Sequence, residues 1–512
     1  AAAAAAATGG LPCKAANSGG VDSSSIDRLV GGAPQAAAGL GPVPDSSSDS
    51  GTSRATGTPT ENGASMDGRD WVFSGGVGAE EAAAPANAIL DTEASHRDLS
   101  ATCKAWGGFQ VLQKLQQGAQ PLCSGASSVK AYSATLTNRE RPFQMVLLQN
   151  ASFTSNGIGA ACVPNESYLK NRPTILTGSQ YVSTRLFEAI QLQEPQRVCA
   201  NPSGVLLLVS ANDYWNWWWF LVQLQNAFIA LAVVQPELDP GPRTIMFLEK
   251  DNREDQATYG RSAKQPLPFR ELYFHLFAAQ NTPDIRWFVN PSLAFGCYRS
   301  IVFLRNAESG SPILKNTAHP FASCFSPVIT ALVAYIKASV NLPSIAPPAT
   351  PTVCWMSRDE NVRPEYTVWQ KARTIKDQAG LVSELDKLAA TRGARVMQLA
   401  FYGNHSSVSI SEQLHRASRC SLITGMHGAG LYAAVAMKAP AILEFTTQRI
   451  PNRNAYNLMS HIGGCYQGME IVAKDKVNGT LNPLQVWPKV VQALEKCGVI
   501  APAAAAQEHR GG

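Results

Sequence analysis

The chain has 512 residues, of which 45% are hydrophobic and 16% charged, and its formal net charge at pH 7 is +5. This length exceeds what one ordinary hydrophobic core holds, so we expect two folded domains. Lys and Arg are scattered and outnumber Asp and Glu only slightly. The sequence therefore lacks the concentrated basic surface typical of proteins that bind nucleic acids or anionic membranes, and no nucleic-acid partner is expected.

Residues 1–100 are rich in Ala, Gly, Ser and Thr and contain few large apolar side chains. Such a segment cannot bury enough surface to offset its ordering entropy, which predicts disorder and a stem or linker role. Residues 501–512 are interpreted as a short tail. The numbering begins with seven alanines and no methionine, so we expect a membrane anchor, if there is one, in a segment outside this sequence.

Residues 101–340 have the composition of a folded domain. Apolar runs of strand length occur at 142–149, 204–211, 243–250 and 300–304, and helical stretches at 223–233 and 322–339 lie between or after them. This alternation predicts an N-terminal α/β domain, which we assign to the acceptor side of any active site.

One apolar run, residues 217–234, is about long enough to span a bilayer. Its centre carries three polar side chains, those of Gln223, Gln225 and Asn226. Polar groups at mid-membrane are unfavourable, so this run is interpreted as a buried helix of a globular domain. A tryptophan cluster at positions 215 and 217–219 overlaps the start of this run. Its rings could stack on the acceptor sugar, or they could belong to the hydrophobic core. Core is favoured for most of its members because consecutive helix residues point in different directions.

A proline-rich stretch, residues 341–352, is interpreted as an interdomain linker because proline cannot continue a helix or sit in a central strand. A second domain is assigned to residues 353–500. Strands are predicted at 353–357, 394–401, 420–425 and 441–445, and helices at 377–393, 409–418 and 426–437. Strands and helices that alternate with short connections indicate a Rossmann-like parallel sheet.

The most informative stretch is 421–435, where a buried strand runs through a glycine-rich turn into a helix. Gly428 and Gly430, on either side of Ala429, have no side chains that would keep a ligand from the backbone. The first amides of a helix lack internal partners and favour anions, and His427 adds a donor beside them. The stretch therefore predicts a diphosphate site, although an ordinary strand–helix turn would look much the same.

Polar residues at the ends of two other strands belong to the same prediction. Ser357 and Arg358 follow the apolar strand at 353, so we expect them at the same carboxyl edge as the glycine-rich turn. The guanidinium of Arg358 suits a phosphate because it donates two parallel hydrogen bonds and keeps its charge. Glu444 lies in a buried strand, where it could accept bonds from ribose hydroxyls or act as a structural salt-bridge partner.

These elements together resemble glycosyltransferase family 61. The family's elements are a strand ending in Ser-Arg, an Arg-x-Ile element, a Glu-Gln pair, a Gly-x-His-Gly-Ala-Gly-Leu turn and an apolar-Glu pair. Their counterparts in this sequence fall in the same order within about 90 residues: Ser357-Arg358, Arg373 with Ile375, Glu412-Gln413, residues 425–431 and Leu443-Glu444. A helix and a Gly-x-x-Tyr step ending at Tyr466 follow, so the resemblance covers about residues 353–470.

The resemblance implies an inverting enzyme of the GT-B fold, with two Rossmann-like domains facing across a cleft. It implies transfer of a xylose, GlcNAc or arabinose type of sugar from a UDP-sugar to a hydroxyl of a glycan or glycoprotein. No metal or other cofactor is expected, and the sequence contains no Asp-x-Asp motif. The implied location is the lumen of the Golgi or endoplasmic reticulum. The implied donor-binding residues are Ser357, Arg358, Arg373, Gln413, His427, Gly428, Ala429, Gly430 and Glu444.

The sequence departs from the family pattern at the general base. Family members often carry an Asn, then a His three residues later, then an acidic residue, but here Asn216 is followed by Trp219 and Gln223 in those positions. Neither side chain can remove a proton. Three acidic residues nearby in the sequence, Asp213, Glu249 and Asp251, are candidate bases. The alternative is a degenerate family member that binds nucleotide or glycan without turnover.

Eleven cysteines are spread along the chain without any CxxC pair, which argues against a zinc site or a thioredoxin-like motif. The odd number leaves at least one free thiol in the monomer, and the sequence does not reveal how the others pair. Four N-glycosylation sequons permit a secretory location without establishing it. They are at Asn150, Asn165, Asn404 and Asn478.

Overall fold

The computed structural model describes much of the chain after residue 100. The described residues are 103, 108, 110–125, 127–134, 143–154, 157–166, 191–193, 201–210, 216–238, 243–248, 269, 271–274, 284–287, 296–304, 313–314, 324–342, 348–358, 373, 375–403, 406–446, 453–471, 476–477 and 480–502. The predicted disordered segment 1–100 and most of the tail lie outside them. So do the three candidate bases, Asp213, Glu249 and Asp251.

The described residues form the helices predicted within 217–234, 322–339, 377–393 and 409–418, together with others that the sequence did not predict. The helices are α1 (Gln110–Gln117), α2 (Trp217–Val234), α3 (Glu271–Phe274), α4 (Pro327–Ser339), α5 (Gln378–Ala390), α6 (Ile410–Ser418), α7 (Arg453–His461) and α8 (Pro483–Lys496), with two 3₁₀ helices, η1 (Gln235–Glu237) and η2 (Ala429–Ala436). Several begin at a side chain that accepts a backbone hydrogen bond: Asn216 for α2, Ser326 for α4, Asp377 for α5 and Ser409 for α6.

The strands form two large sheets and two small hairpins. The strands before the linker are β1 (Ala119–Gly125), β2 (Ser128–Ala134), β3 (Phe143–Thr154), β4 (Gly157–Pro164), β5 (Gln191–Gln193), β6 (Val205–Ser210), β7 (Arg243–Leu248), β8 (Asp284–Trp287) and β9 (Gly296–Leu304). Those after it are β10 (Thr352–Met356), β11 (Arg395–Leu399), β12 (Tyr402–Gly403), β13 (Ser406–Ser407), β14 (Leu422–Met426), β15 (Ala441–Thr446), β16 (Cys465–Glu470), β17 (Lys476–Val477) and β18 (Thr480–Leu481).

The first sheet is mixed, and this differs from the expected Rossmann-like domain. Within the described residues its order is β5-β4-β1-β2-β3-β9-β6-β7-β8. Strands β6, β7, β8 and β9 are parallel to one another, but β1 to β4 pair antiparallel, and β3 joins the two halves through an antiparallel ladder with β9. The short turns within this half allow hairpin pairing, whereas a parallel pair needs a long crossover.

The parallel half of the first sheet is covered on both faces. All residues from Val205 to Val209 in β6 are fully buried, and alternate side chains join two different hydrophobic clusters. A strand with two buried faces reads as a continuous apolar run, which explains the pattern in its sequence. Helix α2 supplies much of one cluster, with 16 of its 18 residues buried. It is the one described helix long and apolar enough to cross a membrane, and its burial confirms the predicted core helix.

The second sheet is wholly parallel, with the order β11-β10-β14-β15-β16. The chain passes from β10 outward to β11 and then returns to β14 on the other side of β10. The strand order therefore reverses between β10 and β14, and the crevice at the carboxyl ends of such a pair is where open α/β sheets bind ligands. The predicted parallel sheet is confirmed, and the structure adds β16 as a fifth strand.

Four disulfides tie described elements together: Cys103–Cys324, Cys123–Cys162, Cys354–Cys420 and Cys465–Cys497. The bond between Cys354 and Cys420 joins β10 to the residue that precedes β14 by two positions, so it fixes the amino ends of the two strands at the point of reversal. Disulfides of this kind are typical of proteins that fold in oxidising compartments.

Candidate donor site

The close approach of β10 and β14 depends on a glycine. Gly425 in β14 has a φ of +153°, and a Cβ at this position would lie 3.0 Å from the carbonyl oxygen of Met356. A larger residue would therefore separate the ends of the two strands. The result is a narrow crevice whose walls are residues 356–358 on one side and 425–428 on the other.

Arg358 extends across this crevice to the glycine-rich turn. A Cβ placed on Gly428 would lie 1.8 Å from Nη2 of Arg358, so the guanidinium occupies the space that any other residue would fill. The backbone of Arg358 is held by the buried amide of Gln378, which accepts from the Arg358 amide at 3.1 Å and donates to its carbonyl at 2.6 Å. An arginine whose backbone is held in place thus lies against the backbone of the glycine-rich turn, which is an arrangement suited to an anion.

The turn after β14 enters a 3₁₀ helix, where the sequence predicted an ordinary helix. Its first internal bond runs from the Leu431 amide to the Gly428 carbonyl, 3.2 Å. Gly430 lies against Met356, whose sulfur would be 2.9 Å from a Cβ there, so the packing is tight at the first turn. A 3₁₀ helix also leaves its first amides without internal acceptors, so the predicted anion-binding geometry does not depend on α-helical geometry.

The ring of His427 is held in place by a buried carboxylate. Its Nδ1 lies 2.6 Å from Oε1 of Glu444, whose side chain is 1% exposed, whereas the histidine ring is 22% exposed. The other carboxylate oxygen accepts a hydrogen bond from the hydroxyl of Tyr466 at 2.7 Å. Glu444 therefore orients His427 as a structural partner, which was one of the two roles that the sequence left open. A ribose contact stays a prediction.

The other residues predicted to bind the donor differ in their contacts. Arg373 donates from Nη1 to the carbonyl oxygen of His427 at 3.2 Å, so it braces the turn. The hydroxyl oxygen of Ser357 is buried and has no hydrogen-bond partner in the described part of the chain. Gln413 is buried in the first turn of α6 and donates to the carbonyl of Val408, which lies just before the helix, at 2.7 Å. The structure thus brings Arg358, Arg373 and His427 together and gives Gln413 a local contact.

Two supporting residues escaped the sequence reasoning. Gln378, which holds the backbone of Arg358 by two hydrogen bonds, was expected only as the second residue of the helix predicted at 377–393. Lys337 of α4 donates to the carbonyl of Met437 at the end of η2, 2.9 Å away, and burial lowers the pKa of its ammonium group. Lys337 lies before the linker, so no local pattern links it to a turn 100 residues later.

Helix α2, which packs on the first sheet, contacts η2 beside the candidate site. Trp218, in the first turn of α2, packs against Tyr432 of η2 with ring centroids 4.8 Å apart. Both rings are buried, as are Trp217 and most of the helix, which confirms the core interpretation for these two tryptophans.

These features define an α/β protein whose second sheet has the order and the switch-point crevice of nucleotide-binding folds. Residues 242–443 match the family model described as Glycosyltransferase 61. This match confirms the resemblance read from the sequence and supports assignment to glycosyltransferase family 61, a family that indicates a glycosyltransferase. The match extends from just before β7 to within β15 and ends one residue before Glu444. No individual curated protein matches the chain significantly.

Proposed function

We propose that the protein transfers a sugar of the xylose, GlcNAc or arabinose type from a UDP-sugar to a hydroxyl of a glycan or glycoprotein. The observation that carries the proposal is the guanidinium of Arg358 lying against Gly428 at the point of strand reversal. A cation, the start of a helix, where amides have no acceptor within the helix, and a partly exposed histidine lie there, and this combination suits a diphosphate. The proposal includes the GT-B arrangement, with the donor on the second sheet.

The proposed chemistry is a single in-line displacement with inversion. The acceptor oxygen attacks the anomeric carbon, the bond from that carbon to the diphosphate breaks, and UDP departs with the electron pair. A base removes the acceptor proton. Arg358, His427 and the amides at the start of η2 would stabilise the charge that develops on the leaving group, which is why no metal is required in this proposal.

The base would come from the first sheet's side of the site. In the chain, Asp213 follows β6, and Glu249 and Asp251 follow β7. The loops after parallel strands are where catalytic residues of α/β sheets occur. Gln223 is buried within α2, and its amide cannot remove the proton of an acceptor hydroxyl.

The donor site is tested by calorimetric titration of the full-length chain with UDP in EDTA. Wild-type protein is expected to bind in the micromolar range, and an Arg358→Ala, His427→Ala double variant is expected to lose binding. Lys387→Ala is a matched control, because this exposed lysine pairs with Glu384 on α5 away from the turn. A folded wild type that does not bind UDP would contradict the proposal.

The second candidate is a degenerate transferase that binds nucleotide or glycan without turnover. Trp219 and Gln223 favour it, because they stand where the family pattern has a histidine and an acid. The test is a transfer assay on wild type and on a Trp219→His, Gln223→Asp variant. Turnover in the variant alone would establish the degenerate form, whereas turnover in wild type would exclude it.

We also propose that the protein works in the lumen of the Golgi or endoplasmic reticulum. Family 61 enzymes are typically enzymes of the secretory pathway. The four disulfides support this location, because cytosolic thiols are kept reduced. Native protein recovered from cytosol with all thiols reduced would contradict it.

A further inference from the structure

Two tyrosines of the second sheet form an aromatic contact that the donor site described above does not use. Tyr456 of α7 and Tyr466 of β16 meet edge to face, with ring centroids 6.0 Å apart and planes at 75°. Tyr466 is partly buried and donates its hydroxyl hydrogen bond to Glu444. Tyr456 is 41% exposed and is the one large aromatic side chain among the exposed hydrophobic residues of the described chain.

The contact is linked to the proposed phosphate site through a continuous chain of side chains. His427 contacts Glu444, Glu444 contacts Tyr466, and Tyr466 supports Tyr456. Strand β16 lies two strand spacings from β14, which is about 10 Å across the sheet. That span is comparable to the reach from a diphosphate to the base of an extended nucleoside diphosphate.

The direction of the donor across the sheet follows from where the transferred sugar must lie. The sugar has to face the acceptor, and the first sheet's side is reached at η2, where Trp218 meets Tyr432. The nucleoside therefore extends the other way, from β14 over β15 toward β16. Helix α7 follows β15, so its first turn, which contains Tyr456, begins at the carboxyl side of the sheet.

We propose that Tyr456, braced by Tyr466, is the stacking surface for the nucleobase of the sugar-nucleotide donor. This inference rests on the proposed function and assigns its base subsite. An aromatic face stacks on any base, and the edge contact with Tyr466 fixes the plane of Tyr456 so that little ordering is needed on binding. Tyr456 is a binding residue and takes no part in the displacement itself.

The test titrates the full-length chain with UDP and with inorganic pyrophosphate, which has the phosphates but no base. Tyr456→Ala is expected to weaken UDP binding about tenfold and to leave pyrophosphate binding unchanged, because stacking on one aromatic ring is lost. Tyr456→Phe keeps the ring and is expected to bind UDP as wild type does. Arg358→Ala is expected to weaken both ligands.

Each other outcome identifies what is wrong. If Tyr456→Ala binds UDP as tightly as wild type, the base subsite is elsewhere and the proposed function stands. If the same variant loses pyrophosphate as much as UDP, Tyr456 acts on the phosphate site and the stacking role is excluded. If only the KM for the glycan acceptor rises, the ring contacts acceptor sugar and the inference is overturned. If wild type binds neither ligand, the proposed function fails and the subsite fails with it.

Tyr456 is exposed, so its substitution is not expected to impair folding, and a thermal melt checks this.

Discussion

Nη2 of Arg358 lies where the side chain of residue 428 would begin, 1.8 Å from the Cβ position of a residue that is in fact glycine. The glycine is required by this contact and not by its backbone, because its φ of 170° is extended backbone that any residue adopts. Arg358 and Gly428 therefore form one unit, although 69 residues separate them in the chain.

We expect Gly428→Ala to displace the guanidinium and to weaken UDP binding about tenfold or more, since a charge-assisted contact is lost. The matched control is Gly296→Ala, where a Cβ would make an ordinary 3.8 Å contact with Tyr298 and no positive φ is present. Titration calorimetry on both variants checks the prediction. Wild-type affinity in Gly428→Ala would mean that the arginine does not contact the phosphates.

The second prediction concerns the contribution of the buried Glu444 carboxylate to the free energy of unfolding. Glu444→Ala leaves the Nδ1 of His427 and the hydroxyl of Tyr466 without their acceptor, and we expect a loss of about 3 kcal/mol in the free energy of unfolding. Glu444→Gln keeps the shape of the side chain and one acceptor oxygen, so we expect a smaller loss in the free energy of unfolding than for Glu444→Ala. Tyr466→Phe removes one hydrogen bond and is expected to cost about 1 kcal/mol.

Urea denaturation of the three variants measures these differences, and UDP titration shows whether His427 keeps its place. Equal losses for Glu444→Ala and Glu444→Gln would contradict the ordering, because they would show that the acceptor oxygen kept by glutamine contributes nothing to stability. An unchanged UDP affinity in Glu444→Ala would show that His427 does not need its anchor in order to bind the nucleotide.

The strands β10, β14 and β15 were predictable from sequence because they are buried apolar runs between helical segments, whereas β16, with sequence CYQGME, is not apolar and was not predicted. Ser409 begins α6 by accepting the hydrogen bond of the Glu412 amide at 3.2 Å. In the antiparallel half of the first sheet, the run at 142–149 was predicted as a strand and is part of β3, but the other strands and the antiparallel pairing were not predicted. Strand β1, with sequence AQPLCSG, shows neither an apolar run nor regular alternation, and its pairing is set by partners such as β4, about 40 residues away.

The candidate site was predicted in part for a similar reason. The turn at 425–431 and Arg358 each carry a local signature, and the topology of a parallel sheet brings strand ends to one edge. The support for Arg358 from Gln378 depends on tertiary packing that no spacing encodes. The general base could not be placed, since the resemblance leads to Trp219 and Gln223, which have no acid–base chemistry at neutral pH.

His461 gives a prediction on pH. It is buried at the end of α7, its Nδ1 lies 2.6 Å from the carbonyl oxygen of Cys324, and burial lowers its pKa from 6.5 to about 4. Between these two values the unfolded chain binds a proton that the folded chain does not. Stability is therefore expected to fall as the pH drops from about 6.5 to about 4, by up to about 3 kcal/mol from this residue.

Urea denaturation across this pH range measures the loss for wild type and for His461→Gln, which has no titrating group. Other residues titrate in both proteins, so the prediction concerns their difference: the pH dependence of the variant is expected to be shallower. Identical slopes would show that His461 is protonated in the folded state as readily as in the unfolded chain.

The last prediction concerns the polar side chains buried in α2. Both amide atoms of Gln223 are fully buried and have no hydrogen-bond partner in the described part of the chain. Two residues later, Gln225 accepts from the amide of Leu314 at 2.9 Å and donates to the side chain of Asn226 at 3.0 Å. The two glutamines lie in the same helix and are equally buried, but only Gln225 has hydrogen-bond partners in the described part of the chain. Each is therefore a control for the other.

A buried amide without partners costs stability, whereas a leucine of similar volume does not. Gln223→Leu is therefore expected to raise the free energy of unfolding by about 1–2 kcal/mol, and Gln225→Leu to lower it by about 2 kcal/mol, because the Leu314 amide then loses its acceptor. Urea denaturation of both variants, with UDP titration of each, measures the outcome. Loss of stability in Gln223→Leu would show that its amide has a partner, such as an internal water. Unchanged stability together with lost transfer activity would instead show that the amide contacts substrate, and that this position has kept a role in the reaction without its acid.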